Sequence, residues 1–192
     1  MNNPIRFFFL AVSAMFLSSC GYNNMVSKEE AVTAQWANVE SAYQRRADLI
    51  PNLVNTVKGV ASFEQTTLTA VVEARAKATS VQVDAKNLSP EQIKQFQEAQ
   101  GQLSSALSRL LVTVEQYPEL KATQNFLEFQ AQLEGTENRI NVERRKFNEA
   151  AQDYNAYIRK FPMVMYSGLL GFRKKGYFEA EAGTEKAPEV KF

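Results

Sequence analysis

The chain has 192 residues, 45% hydrophobic and 22% charged, with 22 basic against 21 acidic side chains, no histidine and a single cysteine. Near-neutrality argues against a nucleic-acid partner, which needs a concentrated basic face, and gives no general attraction to anionic lipid. Without histidine the commonest general base and metal ligand is missing, and one cysteine allows no disulfide within the chain, thiolate zinc pair or redox couple.

The chain opens on a targeting segment. Arg6 and the amino terminus supply positive charge, and Ile5 to Leu17 an apolar run shorter than the ~20 residues of a membrane-spanning helix. That run closes on Leu17-Ser18-Ser19-Cys20-Gly21. Leucine at −3, small residues at −2 and −1 and cysteine at +1 form the pattern a lipoprotein signal peptidase reads. Small side chains let the extended segment enter the protease cleft, and the Cys20 thiol is the nucleophile that accepts a diacylglyceryl group. Cleavage is expected between Ser19 and Cys20, with 1–19 removed as signal peptide and 20–27 left as a lipidated polar tether. Gly21 at +2 resembles the sorting signal for the outer membrane in bacteria that have one. The expected location is outside the cytoplasm, on the periplasmic face of the outer membrane in a diderm cell.

Ser27-Lys28-Glu29-Glu30 has the form of a capping box opening a helix. Val32, Trp36, Val39, Tyr43, Ile50, Leu53, Val57, Val60 and Val71 then recur near the 3.5-residue period of packed bundle helices. Arg46, Glu64 and Thr67 fall on the same seam. The simplest reading of these three is a solvated edge or a helix end; the alternative is a buried polar contact. Pro51 interrupts the run, and a proline in a helix interior costs about 3 kcal/mol. Asp48 can cap a new helix, so two arrangements remain: a hairpin meeting near 48–51, or one long helix from 28 to 80 kinked at Pro51.

After a polar stretch, 81–88, Ser89-Pro90-Glu91-Gln92 opens a helix with cap, proline at the first position and acid in the first turn. Its seam is Ile93, Phe96, Leu103, Leu107, Leu110 and Val114, with Gly101 inside, a position suited to close approach by a neighbour. Tyr117-Pro118 ends it. Thr123 caps the last helix, 124–161, whose seam runs through Phe126, Leu133, Ile140, Phe147, Ala151, Tyr154, Ile158 and Phe161. The charge run Glu143-Arg144-Arg145-Lys146 reads as a solvated face. Met163 to Lys175 is apolar, then basic, and split by Gly168 and Gly171; it suits packing on the bundle better than lying in a membrane interface. The helical region spans 28–178, and the polar tail 179–192 is expected to be disordered.

No strand-like alternation occurs, so the fold is all-α. Helix lengths favour an antiparallel up-and-down four-helix bundle with the hairpin at 48–51. A continuous first helix would carry Trp36, Val39 and Tyr43 past the bundle with nothing to cover them. The alternative is three long helices, the first kinked at Pro51.

Trp36, Val39-Glu40 and the run Gln44-Arg45-Arg46-Ala47-Asp48-Leu49-Ile50-Pro51-Asn52-Leu53-Val54-Asn55-Thr56-Val57-Lys58-Gly59 closely resemble the signature of LemA family proteins. Glu73-Ala74-Arg75, Tyr117-Pro118-Glu119-Leu120-Lys121-Ala122, Thr136-Glu137-Asn138-Arg139-Ile140, Tyr154-Asn155 and Phe161-Pro162 extend the match, in order, over about 28–178. The resemblance implies a compact antiparallel four-helix bundle and a membrane-anchored protein with its domain outside the cytoplasm. It brings no catalytic or ligand residues. Many relatives are held by an uncleaved hydrophobic helix, so the lipid anchor is inferred from this sequence alone.

Two functions follow. The first is a non-catalytic interaction or scaffold module of the bacterial envelope, held to the membrane through Cys20. With a hairpin at 48–51, Arg45, Asp48, Asn52, Tyr117, Glu119 and Lys121 share the end away from the lipid and form a candidate surface for an envelope partner. The second is a small-ligand or metal binder, or a carboxylate enzyme, using polar groups within the bundle. The di-metal helical pattern needs Glu-x-x-His, which a chain without histidine lacks. No cofactor is expected, and the sequence sets no oligomeric state.

Overall fold

The computed structural model describes residues 4–59 and 64–179, with side chains described from Gly21 onward. The Cys20 side chain, Val60 and the tail beyond 179 therefore lie outside the described residues. Four long helices make the architecture: α1 (Pro4–Lys58), α2 (Gln65–Ser80), α3 (Pro90–Val114) and, after the one-turn α4 (Pro118–Lys121), α5 (Gln124–Ile158). A 3-10 turn, Met163–Met165, follows. The fold is all-α, with no strand among the described residues.

Four helices are present, but the chain does not fold back at Asp48. α1 continues through Pro51 to Lys58, and α2 begins at Gln65. The reason is visible in the hydrogen bonds. Proline has no N–H, so the carbonyl four residues earlier, Ala47 O, loses its helical donor. Arg75 of α2 supplies one, its Nε donating to Ala47 O at 2.8 Å. Asp48, rather than capping a helix, accepts from Gln44 Nε2 at 2.8 Å within α1. The alternative of a single helix from 28 to 80 holds only through Pro51 to Lys58, since α2 begins separately at Gln65.

Trp36, Val39 and Tyr43 are nevertheless buried, because α5 is long enough to follow α1. Lys28 pairs with Asp153, Gln35 donates to Glu143 at 2.7 Å and Arg46 reaches Glu137 at 2.8 Å. The contacts run in opposite directions along the two helices, which are therefore antiparallel. At 1.5 Å per residue α5 spans about 50 Å and α2 only about 24 Å. So α2 flanks one half of the α1–α5 pair and something else must cover the other.

Two apolar clusters result. The first joins Ile50, Leu53 and Val57 of α1 to Leu68 and Val71 of α2, Leu103 to Val114 of α3, Leu120, and Phe126 to Leu133 of α5. The second joins Met25 to Tyr43 of α1 to Leu88, Ile93 and Phe96, to Ile140 through Ile158 of α5, and to Phe172 and Phe178. In this half, residues 172–179 form a strap where a fourth helix would lie.

Local caps follow the sequence. Ser89 Oγ accepts from Gln92 N at 3.3 Å with Pro90 at the first helical position, and Thr123 Oγ1 accepts from Phe126 N at 3.3 Å. Four other expectations are corrected. Residues 21–27 are helical rather than a tether, and Ser27 caps nothing, because Met25 is fully buried in the core and Tyr22 meets Phe172. Tertiary contacts carry the helix past the local start signal. The run 143–146 is not a uniformly solvated face: Glu143 is 1% exposed, held by Gln35, Arg139 and Lys146. Burial pushes its carboxyl up, but these partners outweigh burial and leave it below the usual carboxylate value. Gly101 admits no close neighbour, since a Cβ there would meet nothing within 4 Å.

Candidate functional site

Between the two apolar clusters lies a polar layer centred on Arg46. Its position on the apolar seam was legible in the sequence, and the structure decides for burial: Arg46 is 1% exposed. NH1 donates to Ser104 Oγ at 2.7 Å and Glu137 Oε1 at 2.8 Å, and NH2 to Gln100 O at 3.1 Å and Gln100 Oε1 at 2.7 Å. The guanidinium lies 5.1 Å from the Tyr43 ring centroid. Gln100 Nε2 donates onward to Ala78 O at 3.2 Å, one of the last carbonyls of α2. One arginine therefore ties α1 to α3 and α5, and through Gln100 to the end of α2. Its Nε has no partner and is buried. Glu64 and Thr67, its companions on the seam, lie at the start of α2 and bond each other at 3.0 Å.

Above this layer is an open groove. α3 packs chiefly on α2, and α5 chiefly on α1, so the α3–α5 side is left as a depression of about 980 Å³. Its walls carry Lys94, Ser105 and Arg109 from α3 and Asn141 and Arg144 from α5, with Arg46 at the floor. Glu179, the last described residue, stands at its edge.

The strap leads into that groove and shows how these helices hold extended chain. Asn155 Nδ2 donates to Lys175 O while its Oδ1 accepts from Lys175 N, both at 2.9 Å. Asn148 grips Phe178 in the same two-way manner at 2.8 and 2.9 Å, and Gln97 grips Glu179 at 2.9 and 3.1 Å. A side-chain amide, with one donor and one acceptor, satisfies both backbone groups of a residue as a neighbouring strand would. Between the clamps Phe178 enters the core, meeting Trp36, Phe96 and Phe147 at centroid distances of 6.0, 6.4 and 5.5 Å. Lys175 is buried against Glu29 at 2.7 Å and Lys86 O at 3.0 Å. Gly176 is needed here, since a Cβ would come 2.8 Å from Pro90 Cα. Local periodicity carried no signal for the strap, because its amide clamps lie 20 to 82 residues away; of the family motifs, Trp36 and Tyr154-Asn155 touch it.

The expected partner surface does not assemble as one end of the bundle. Arg45, Asp48 and Asn52 are exposed along the shaft of α1 rather than in a turn. Arg45 lies about 20 Å from the Lys58 end at helical rise. Tyr117, Glu119 and Lys121 do share the turn between α3 and α5, where Tyr117 packs on the core and Lys121 pairs with Glu115 at 2.5 Å. Among the described residues no three His, Cys, Asp or Glu side chains gather as a metal site. No helix among them is long and apolar enough to cross a membrane.

Fold and groove define a class: an antiparallel helical pair braced by a second, shorter pair and a clamped strap. The sequence profile of the LemA family matches residues 35–192, and the chain belongs to that family. It is similar to Magnetosome protein MamQ of Magnetospirillum gryphiswaldense, 29% identical over 184 residues, covering 84% of this chain and 66% of the relative. It is also similar to Magnetosome protein MamQ 2 of Paramagnetospirillum magneticum, 28% identical over 179 residues, 82% of this chain and 64% of the relative. Protein LemA of Metamycoplasma hominis is 26% identical over 158 residues, 82% of this chain and 68% of that protein. The chain thus spans less than two thirds of the length of the MamQ proteins of P. magneticum that it matches.

Proposed function

We propose that this protein is a non-catalytic interaction module of the bacterial envelope, anchored by lipid on Cys20 with its domain outside the cytoplasm. It offers the α3–α5 groove to an extended segment of a partner protein. The observation that carries this reading is the strap. Asn155, Asn148 and Gln97 already bind the backbone of residues 175–179 as extended chain. The groove then continues past Glu179, lined with further donors and acceptors. The lipobox at 17–20 supplies the anchor, and Gly21 at +2 favours the outer membrane of a diderm cell.

The test is photo-crosslinking in intact cells, with benzoylphenylalanine at Ser105 or Asn141 in the groove and at Glu73 on the outside of α2. Discrete adducts are expected from the two groove positions and not from Glu73. They should be lost in Cys20→Ala, whose precursor stays uncleaved at this site and without bound lipid. Equal or absent adducts at all three positions would remove the groove from the reading. An unmodified Cys20 by mass spectrometry in a full-length chain would remove the anchor.

A further inference from the structure

We infer that the segment after α5, residues 159–174, is a membrane foot that sets its apolar side chains into the headgroup region of an anionic bilayer. Its side chains are turned outward to an unusual degree. Phe161 is 80% exposed, Met165 73% and Leu169 91%, with Val164 and Leu170 also exposed. Clustered exposed apolar side chains of this size mark an interaction surface. This is not a fraying end, because the segment is fastened from behind. Met163 and Tyr166 pack on the core, Phe172 is buried within it, and Ser167 Oγ donates to Ile158 O at 3.2 Å. Gly171, at φ +88°, makes the left-handed turn that brings Phe172 back inward.

Charge selects the partner. From Arg159 to Phe178 the sequence holds Arg159, Lys160, Arg173, Lys174 and Lys175 and no acidic residue, in a chain whose total is near neutral. Lys175 is committed to Glu29, and the other four are exposed around the apolar tip. Apolar side chains ringed by lysine and arginine fit an anionic lipid surface, where the rings and alkyl groups enter the interface and the cations meet phosphate.

Position makes the same choice. The Tyr22 ring lies 5.7 Å from that of Phe172, and a Cβ on Gly21 would come 2.7 Å from the Met163 side chain. The segment is therefore packed against the two residues that follow Cys20. An acyl chain on Cys20 would hold it at headgroup level, so this inference rests on the anchor proposed above. A second contact of this kind also fixes the orientation of the domain on the bilayer. The two glycines rule against an amphipathic helix, but a fastened loop needs no helix to present its side chains.

The experiment places tryptophan at Leu169 or at Leu127, both exposed leucines, the latter at the far end of α5. The full chain is reconstituted in vesicles of phosphatidylcholine with roughly a third phosphatidylglycerol, with and without brominated acyl chains. Leu169→Trp emission should be quenched by bromine at least about twofold more than that of Leu127→Trp. Joint charge reversal of Arg159, Lys160, Arg173 and Lys174 to glutamate should bring quenching at 169 down to the level at 127. Flotation with equal quenching at the two positions would overturn the foot and leave the anchor standing. Failure of every variant to float would overturn both. Self-association through this surface would show as equal quenching together with concentration-dependent sedimentation, and would also overturn it.

Discussion

The two halves of the molecule solve one packing problem with different parts. Toward Lys58, four helices surround a mainly aliphatic core of Leu53, Val57, Val71, Leu103 and Leu110. Toward Met25, α2 has ended, and its place is taken by the 81–89 loop and the strap, with Trp36, Phe96, Phe147 and Phe178 filling the width. Aromatic side chains bury more area each and so can replace part of a missing helix. The strap closes the α3–α5 side of this half with three amide clamps. Past Glu179 the same side is left open as the groove, which runs over the Arg46 layer at its floor. A long helix pair flanked by a shorter pair thus leaves one stretch to be sealed by the strap and one stretch uncovered.

The largest effect should come from the sealed half. Phe178→Ala removes a buried ring touching three others and should cost about 3–5 kcal/mol in denaturant unfolding. The amides of Lys175, Phe178 and Glu179 should lose hydrogen-exchange protection, while α2 keeps most of its own. Uniform loss of protection across both halves would mean the strap is not a separate closing element.

A middle-sized effect is expected where α2 braces α1. Arg75→Ala strips Ala47 O of its donor and should cost about 1–3 kcal/mol, the cost of a buried carbonyl left unpaired. In a Pro51→Ala background the helix regains its own N–H at that position, and the cost of Arg75→Ala should fall by at least about half. Equal costs in both backgrounds would show that Arg75 serves packing rather than the proline gap.

The smallest effect tests the open side. Gly101 faces empty space, so Gly101→Ala should raise stability by up to about 1 kcal/mol, seen as a higher Tm. Destabilisation would mean that the groove is narrower than described.

Much of the fold was legible because helices are local. Serine or threonine before an apolar period marked the starts of α3 and α5, and the seams named most of the buried side chains. The site was legible only in part. Arg46 stood out as a charge on an apolar seam, yet whether it was solvated depended on Gln100, Ser104 and Glu137, 54 to 91 residues away. Glu143 looked like part of a solvated run, because the residue that buries it, Gln35, lies 108 positions earlier.

The sequence by itself determined the all-helical class, the helix starts that carry side-chain caps and the family, all of which depend on short-range pattern. Tertiary structure alone decided whether α1 passes through Pro51, because the missing hydrogen bond is repaired by Arg75 from another helix. It alone decided where the bundle is closed and where it is open, since this follows from the mismatch between the short α2 and the long α1–α5 pair. A proline's cost and a helix's uncovered face are settled by whatever comes to lie beside them in the folded chain.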